Sequence, residues 1–175
     1  MEEQNESVSV KQVAIKWGLI SGILSIVVFL VVYFAGMMGN SWIGLVSAVI
    51  TVVLMVLAHK EFKESGNGYM SYGQGLGLGT LMVTIGSVIS ALFSYIYIKF
   101  INTGYIQEVL DMSRAKMEDQ GQSDAQIDAA MGYVEKFTTP EMTLIMGLVF
   151  GILFGFIIAL IVSAITKKND PALEL

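Results

Sequence analysis

Cysteine is absent from this 175-residue chain, proline occurs twice, histidine once, and charged residues fill only 14% of the positions. Without cysteine there is no disulfide, thiolate metal site or cysteine nucleophile. A single histidine, His59, leaves neither a histidine pair for a metal nor spare partners for a histidine-based triad. Its place beside Lys60 and Glu61, at the edge of an apolar run, reads as an ordinary interfacial residue. Nucleotide-binding loops are missing too. Gly68 to Gly73 has the interval of a phosphate cradle, but Gln74 stands where the lysine belongs, and Leu78 and Thr80 break any GxGxxG. Ten Lys and Arg against fifteen Asp and Glu give a net charge of −5, without the basic patch that a nucleic-acid partner needs.

Charge is missing altogether from four long runs: Gly18 to Met38, Trp42 to Ala58, Leu76 to Ile98 and Met142 to Thr166. Crossing a hydrocarbon core takes roughly 20 apolar helical residues. A soluble buried helix of that length carries a charged outer face. The runs therefore predict an all-α fold, a polytopic membrane four-helix bundle forming one integral membrane domain over residues 1–175. The acidic leader, with Glu2, Glu3 and Glu6 beside Lys11 and Lys16, and the length of the first run argue against a cleaved signal peptide. Gly39 suits a helix C-terminus and Ser41 an N-cap, so the first two spans form an antiparallel hairpin.

Cations set the orientation. Lys11, Lys16, Lys60, Lys63, Lys167 and Lys168 share one side, against Lys99, Arg114, Lys116 and Lys136 on the other. The positive-inside rule places both termini in the cytoplasm and the 102–139 loop outside. Trp17, Trp42, Tyr69, Tyr72, Tyr95, Tyr97 and Tyr105 flank the spans as interface anchors.

That loop carries Ile106, Val109, Leu110, Ser113 and Met117, then Ile127, Ala130, Met131, Val134 and Phe137, each set at helical spacing. Two short amphipathic helices follow, with Ser123 and Gln126 as a capping box and Thr139-Pro140-Glu141 starting the last span. Acidic residues outnumber basic ones in the loop, which disfavours anionic lipid and favours a cap or a partner-docking surface. Glu118, Asp119, Asp124 and Asp128 match no EF-hand spacing and read as a solvated face.

Small residues supply the remaining pattern. Gly73 and Gly77 share one face of the third span with Thr80, Thr84 and Ser87, while Gly75 and Gly79 share another with Gly86. Gly147, Gly151 and Gly155 recur every fourth residue in the last span. Such ladders let helix backbones approach closely in lipid, within one chain or between copies. A narrower reading lines a solute path with Gln74, Thr80, Thr84 and Ser87, although transporters commonly place a charge within the membrane and these spans have none.

The segments GNGYMSYGQGLGLG (Gly66 to Gly79) and QSDAQIDAAMGYVEKFTTPEM (Gln122 to Met142) resemble a bacterial four-span membrane family of unknown function, domain of unknown function 4199. The resemblance covers most of the chain and implies a bacterial membrane protein with four helices; it brings no activity or active-site residues. The reading reached from the residues is a non-enzymatic scaffold of the bacterial cytoplasmic membrane, without cofactor, metal or catalytic group. Its expected partners are membrane lipids and a second copy or another membrane protein. A small-solute transporter or channel is the alternative.

Overall fold

The structure, a computed structural model, describes residues 9–171, so the acidic leader with Glu2, Glu3 and Glu6 lies outside the described residues. Six α-helices follow in order: α1 (Val10–Phe34), α2 (Trp42–Glu64), α3 (Tyr72–Ile96), α4 (Tyr105–Asp119), α5 (Asp124–Phe137) and α6 (Pro140–Thr166). A π-helical turn over Tyr97–Ile101 extends α3. Among the described residues there is no strand, only one antiparallel bridge joining Met70 to Lys168. Four helices, α1, α2, α3 with its π-turn, and α6, are long and apolar enough to cross a membrane. Outward-facing Val31, Phe34, Leu45, Phe154 and Ile165 are exposed, an apolar surface suited to lipid rather than water.

Each long helix runs past one end of the uncharged segment that marks it, because capping chemistry and not hydropathy sets its ends. α1 begins at Val10, where Ser9 and Gln12 form a capping box, and so carries Lys11 and Lys16. It stops at Phe34, short of Met38, because Gly36 turns the chain with φ +65°. Gly39, at φ +77°, makes the second turn. Ser41 does not cap α2: its own backbone is helical, and the Asn40 side chain accepts from the Trp42 N–H at 3.0 Å. α2 continues past Ala58 to Glu64. Ser71 and Gln74 box the start of α3, Ser123 and Gln126 that of α5, and Thr139 caps α6 with Pro140 in its first turn.

α3 stands at the centre. α1 and α6 each pack along it, while α2 touches the others more lightly. The α3–α6 contact steps by four residues up one helix and down the other. Cβ atoms built on its glycines would meet small partners: Gly75 meets Ser163, Gly79 meets Ala159, Gly155 meets Val83, Gly151 meets Ser87 and Gly147 meets Ala91. Where one helix has glycine the other supplies a side chain, so the two backbones close without a void. Across α3, Gly18 and Gly22 of α1 receive Ile85 and Ile89, and Gly86 lies against Ser21.

Gly73 and Gly77 are outside this arrangement. Nothing lies within 4 Å of a Cβ added at either, so they contact no neighbouring helix of this chain. The expected grouping of Ser87 with Gly73 and Gly77 is thus corrected: Ser87 and Ala91 follow Gly75 and Gly79. A four-residue step advances about 400° around the helix, so the contact line drifts relative to a fixed face. Replacing Gly77 with Leu is accordingly expected to leave the stability in detergent, read from the thermal midpoint, within about 0.5 kcal/mol of the parent's. A larger loss at this open position would contradict the packing.

Candidate functional site

Three polar features stand out, one at each end of the long helices and one between them. At the end where α1 begins and α6 ends, the core is tight: Met55, Leu78, Met82 and Met70 are fully buried. His59 sits among them at 0% exposure, so it is not the interfacial residue its neighbours suggested. Its Nε2 lies 3.0 Å from the Gly75 carbonyl and its Nδ1 2.7 Å from the Thr166 hydroxyl. A carbonyl only accepts, so Nε2 carries the proton and donates. Lys63 donates to the Thr166 carbonyl at 2.8 Å, satisfying an end group of α6. The Met70–Lys168 bridge closes the same corner with N–H···O bonds of 2.8 and 2.9 Å. Lys16 and the Trp17 indole both donate to Glu61, at 2.8 and 3.1 Å. Together these bonds tie α1, α2, the α3 entry and the α6 exit into one lock.

At the opposite end the helical hairpin α4–α5 is seated on rings. Phe29, Tyr33, Tyr97 and Tyr105 form a cluster with centroid separations of 5.5 to 6.0 Å. The Tyr33 hydroxyl accepts from Asn102 at 2.6 Å and donates to the Glu108 carboxylate at 3.1 Å. The π-helical turn bonds Asn102 N–H back to the Tyr97 carbonyl, which positions that asparagine. Tyr97, expected as an interface anchor, is buried in this cluster instead. Burial, with Tyr33, Glu108 and Tyr97 nearby, pushes the Tyr105 phenol above its ordinary range, so it stays neutral. α5 rests on α4, with Ile127 and Met131 buried and Arg114 paired to Asp128 at 2.9 Å. That pairing engages Asp128, and no three acidic or histidine side chains among the described residues are arranged to hold a metal.

Between the two ends lies a cleft of about 620 Å³, bounded by all four long helices. Ser87, Gly86, Gly147, Gly151 and Gly155 line it. The other candidate solute-facing residues do not. Gln74 is spent in the α3 capping box, Thr84 donates to the Thr80 carbonyl at 2.8 Å, and the Thr80 hydroxyl is buried without a hydrogen-bond partner. Their place is taken by Ser21 and Ser25 of α1 and by Gly44, Ser47 and Thr51 of α2. The α1 serines show in the sequence as a weak small-residue ladder; Gly44, Ser47, Ala48 and Thr51 of α2 stand at i, i+3, i+4 and i+7, a short stripe of small residues in an otherwise apolar run that could have marked this face.

The family model described as "Protein of unknown function (DUF4199)" matches residues 16–168. The chain belongs to this family. The match runs from Lys16, a partner of Glu61, to Lys168, the far half of the bridge, and so encloses both ends and the cleft. No curated protein and no solved structure matches the chain.

Proposed function

We propose that this family member is a non-enzymatic four-helix membrane protein of the bacterial cytoplasmic membrane, with both termini cytoplasmic, that works as a docking scaffold through its α4–α5 hairpin. The observation that carries the reading is how the hairpin is held. Its base is fixed by the Tyr33, Asn102 and Glu108 bonds, while α5 leaves Tyr133 and Phe137 exposed. An element anchored at its base with exposed aromatic surface is what a partner site requires. The polar groups of the lock support a structural role as well, since His59, Lys63 and Glu61 are each committed to a bond between helices.

The absence of cysteine makes the topology simple to test. Ser123→Cys in intact cells is expected to react with a membrane-impermeant maleimide, and Lys60→Cys to react only after lysis; the reverse pattern would invert the protein. In the same cells, a benzophenone amino acid at Tyr133 is expected to give one discrete cross-linked species, absent when it replaces Lys60. No adduct from Tyr133 would remove the docking role.

A second reading, passage of a small solute, is favoured by the hydroxyl-bearing cleft. Fully buried Met55 and Leu78 weigh against it, because they belong to the packed core shared with Ala58 and Phe62 near the α2 C-terminus.

A further inference from the structure

Six hydroxyls from three helices line the cleft: Ser21 and Ser25 from α1, Ser47 and Thr51 from α2, Ser87 and Ser90 from α3. Three of them bond carbonyls of their own helices. Ser21 donates to Gly18, Thr51 to Ser47 and Ser90 to Ser87, at 2.9, 2.9 and 3.3 Å. The remaining three, Ser25, Ser47 and Ser87, come one from each helix and have no hydrogen-bond partner among the described residues. A hydroxyl left unpaired in an apolar medium is costly, and in a helix it ordinarily bonds back to the preceding turn. Three donors open to one cavity, Ser47 and Ser87 half-buried and Ser25 exposed, suit an occupant with acceptor oxygens.

The rest of the lining narrows the chemistry. No charged residue borders the cleft, so a phosphate or ammonium head would be desolvated with nothing to balance it. Phe150, Phe154, Ile157 and Ile158 supply an apolar wall, with Phe150 and Phe154 stacked at 6.1 Å and both exposed on their outer sides. A bare hydrocarbon tail would suit that wall and leave all three hydroxyls unpaired. The volume lies within the range of small-molecule sites, about 300–1,000 Å³. One wall is fixed by the α3–α6 contact, and the facing wall is α2, the most lightly held of the four long helices.

We propose that the cleft binds an uncharged single-chain lipid whose head carries ester and hydroxyl oxygens. The hydroxyls of Ser25, Ser47 and Ser87 donate to the head, and the phenylalanine wall takes the chain. The site is independent of the hairpin and of any partner docked there.

Monoolein, which has one chain, an ester carbonyl and no charge, is the probe. The full chain in detergent is titrated with it and followed by native mass spectrometry and by thermal midpoint. A one-to-one adduct and a raised midpoint are expected, with neither from 1-octadecene nor from lysophosphatidylglycerol of equal chain length. Ser25→Ala, Ser47→Ala and Ser87→Ala combined are expected to weaken monoolein at least about tenfold. Ala48→Phe, which fills the cleft from α2 without removing a hydroxyl, is expected to abolish the adduct and stands in if the triple variant does not fold. Equal binding of 1-octadecene, or full monoolein affinity in the triple variant or in Ala48→Phe, would overturn the proposal. So would competition by lysophosphatidylglycerol, or a lipid-free dimer that covers the cleft.

Discussion

Gly155→Leu is expected to cost about 3 kcal/mol, read as a drop in thermal midpoint in detergent and as loss of a monodisperse peak on size exclusion. A Cβ at this position would sit 2.6 Å from Val83 Cγ2 and 2.7 Å from its Cβ. Valine is stiff at χ1 and cannot swing aside. The only relief is to part α3 from α6, and the neighbouring contacts at Gly79–Ala159 and Gly151–Ser87 open with it. Because helices in lipid associate through packing rather than an aqueous hydrophobic effect, nothing replaces the lost contact. Val83→Ala combined with Gly155→Leu should recover part of the loss, since the clash is pairwise. An unchanged midpoint in the single variant, or purely additive losses in the double, would show that this contact is not what holds the two helices together.

His59→Ala carries the other large effect, again about 3 kcal/mol, from two sources acting together. Truncation leaves a void in a fully buried site. It also removes the His59 N–H that the Gly75 carbonyl accepts at 3.0 Å in addition to its bond within α3, and with it a tie between α2 and α3. His59→Gln restores an N–H donor of similar reach and should regain part of the stability. The sensitive readout is proteolysis of the 65–71 connection, which is held on the far side by the Met70–Lys168 bridge and the buried Met70 side chain. If alanine at this position cleaves and melts like the parent, or if glutamine does no better than alanine, the histidine is not a structural tie.

The parts of this fold visible in the sequence are those fixed by neighbours along the chain. Ser123 with Gln126 and Thr139 with Pro140 announce helix starts because cap and capped group lie within one turn. The spacing of Gly147, Gly151 and Gly155 is equally plain, but which helix they meet depends on the relative height of α3 and α6, and no local rule supplies that. His59 was misjudged for the same reason. Its charged neighbours Lys60 and Glu61 point elsewhere around the helix, and its partners Gly75 and Thr166 come from other helices. Of the residues expected to face a solute, only Ser87 lines the cleft. Hydroxyls bonded within their own turn, like Thr84, look no different in sequence from hydroxyls left free, like Ser47.

The antiparallel contact between α3 and α6 has a consequence for biogenesis. A chain made from its N-terminus completes α1, α2 and α3 long before the last helix exists. During that interval Gly75 lacks Ser163 and Gly79 lacks Ala159, and Met70 waits for Lys168, which lies just beyond α6. The nascent protein is therefore an unzipped intermediate until α6, the last of these four helices to be made, fastens it, and truncations anywhere in α6 should be cleared by quality control as readily as truncations that remove it whole.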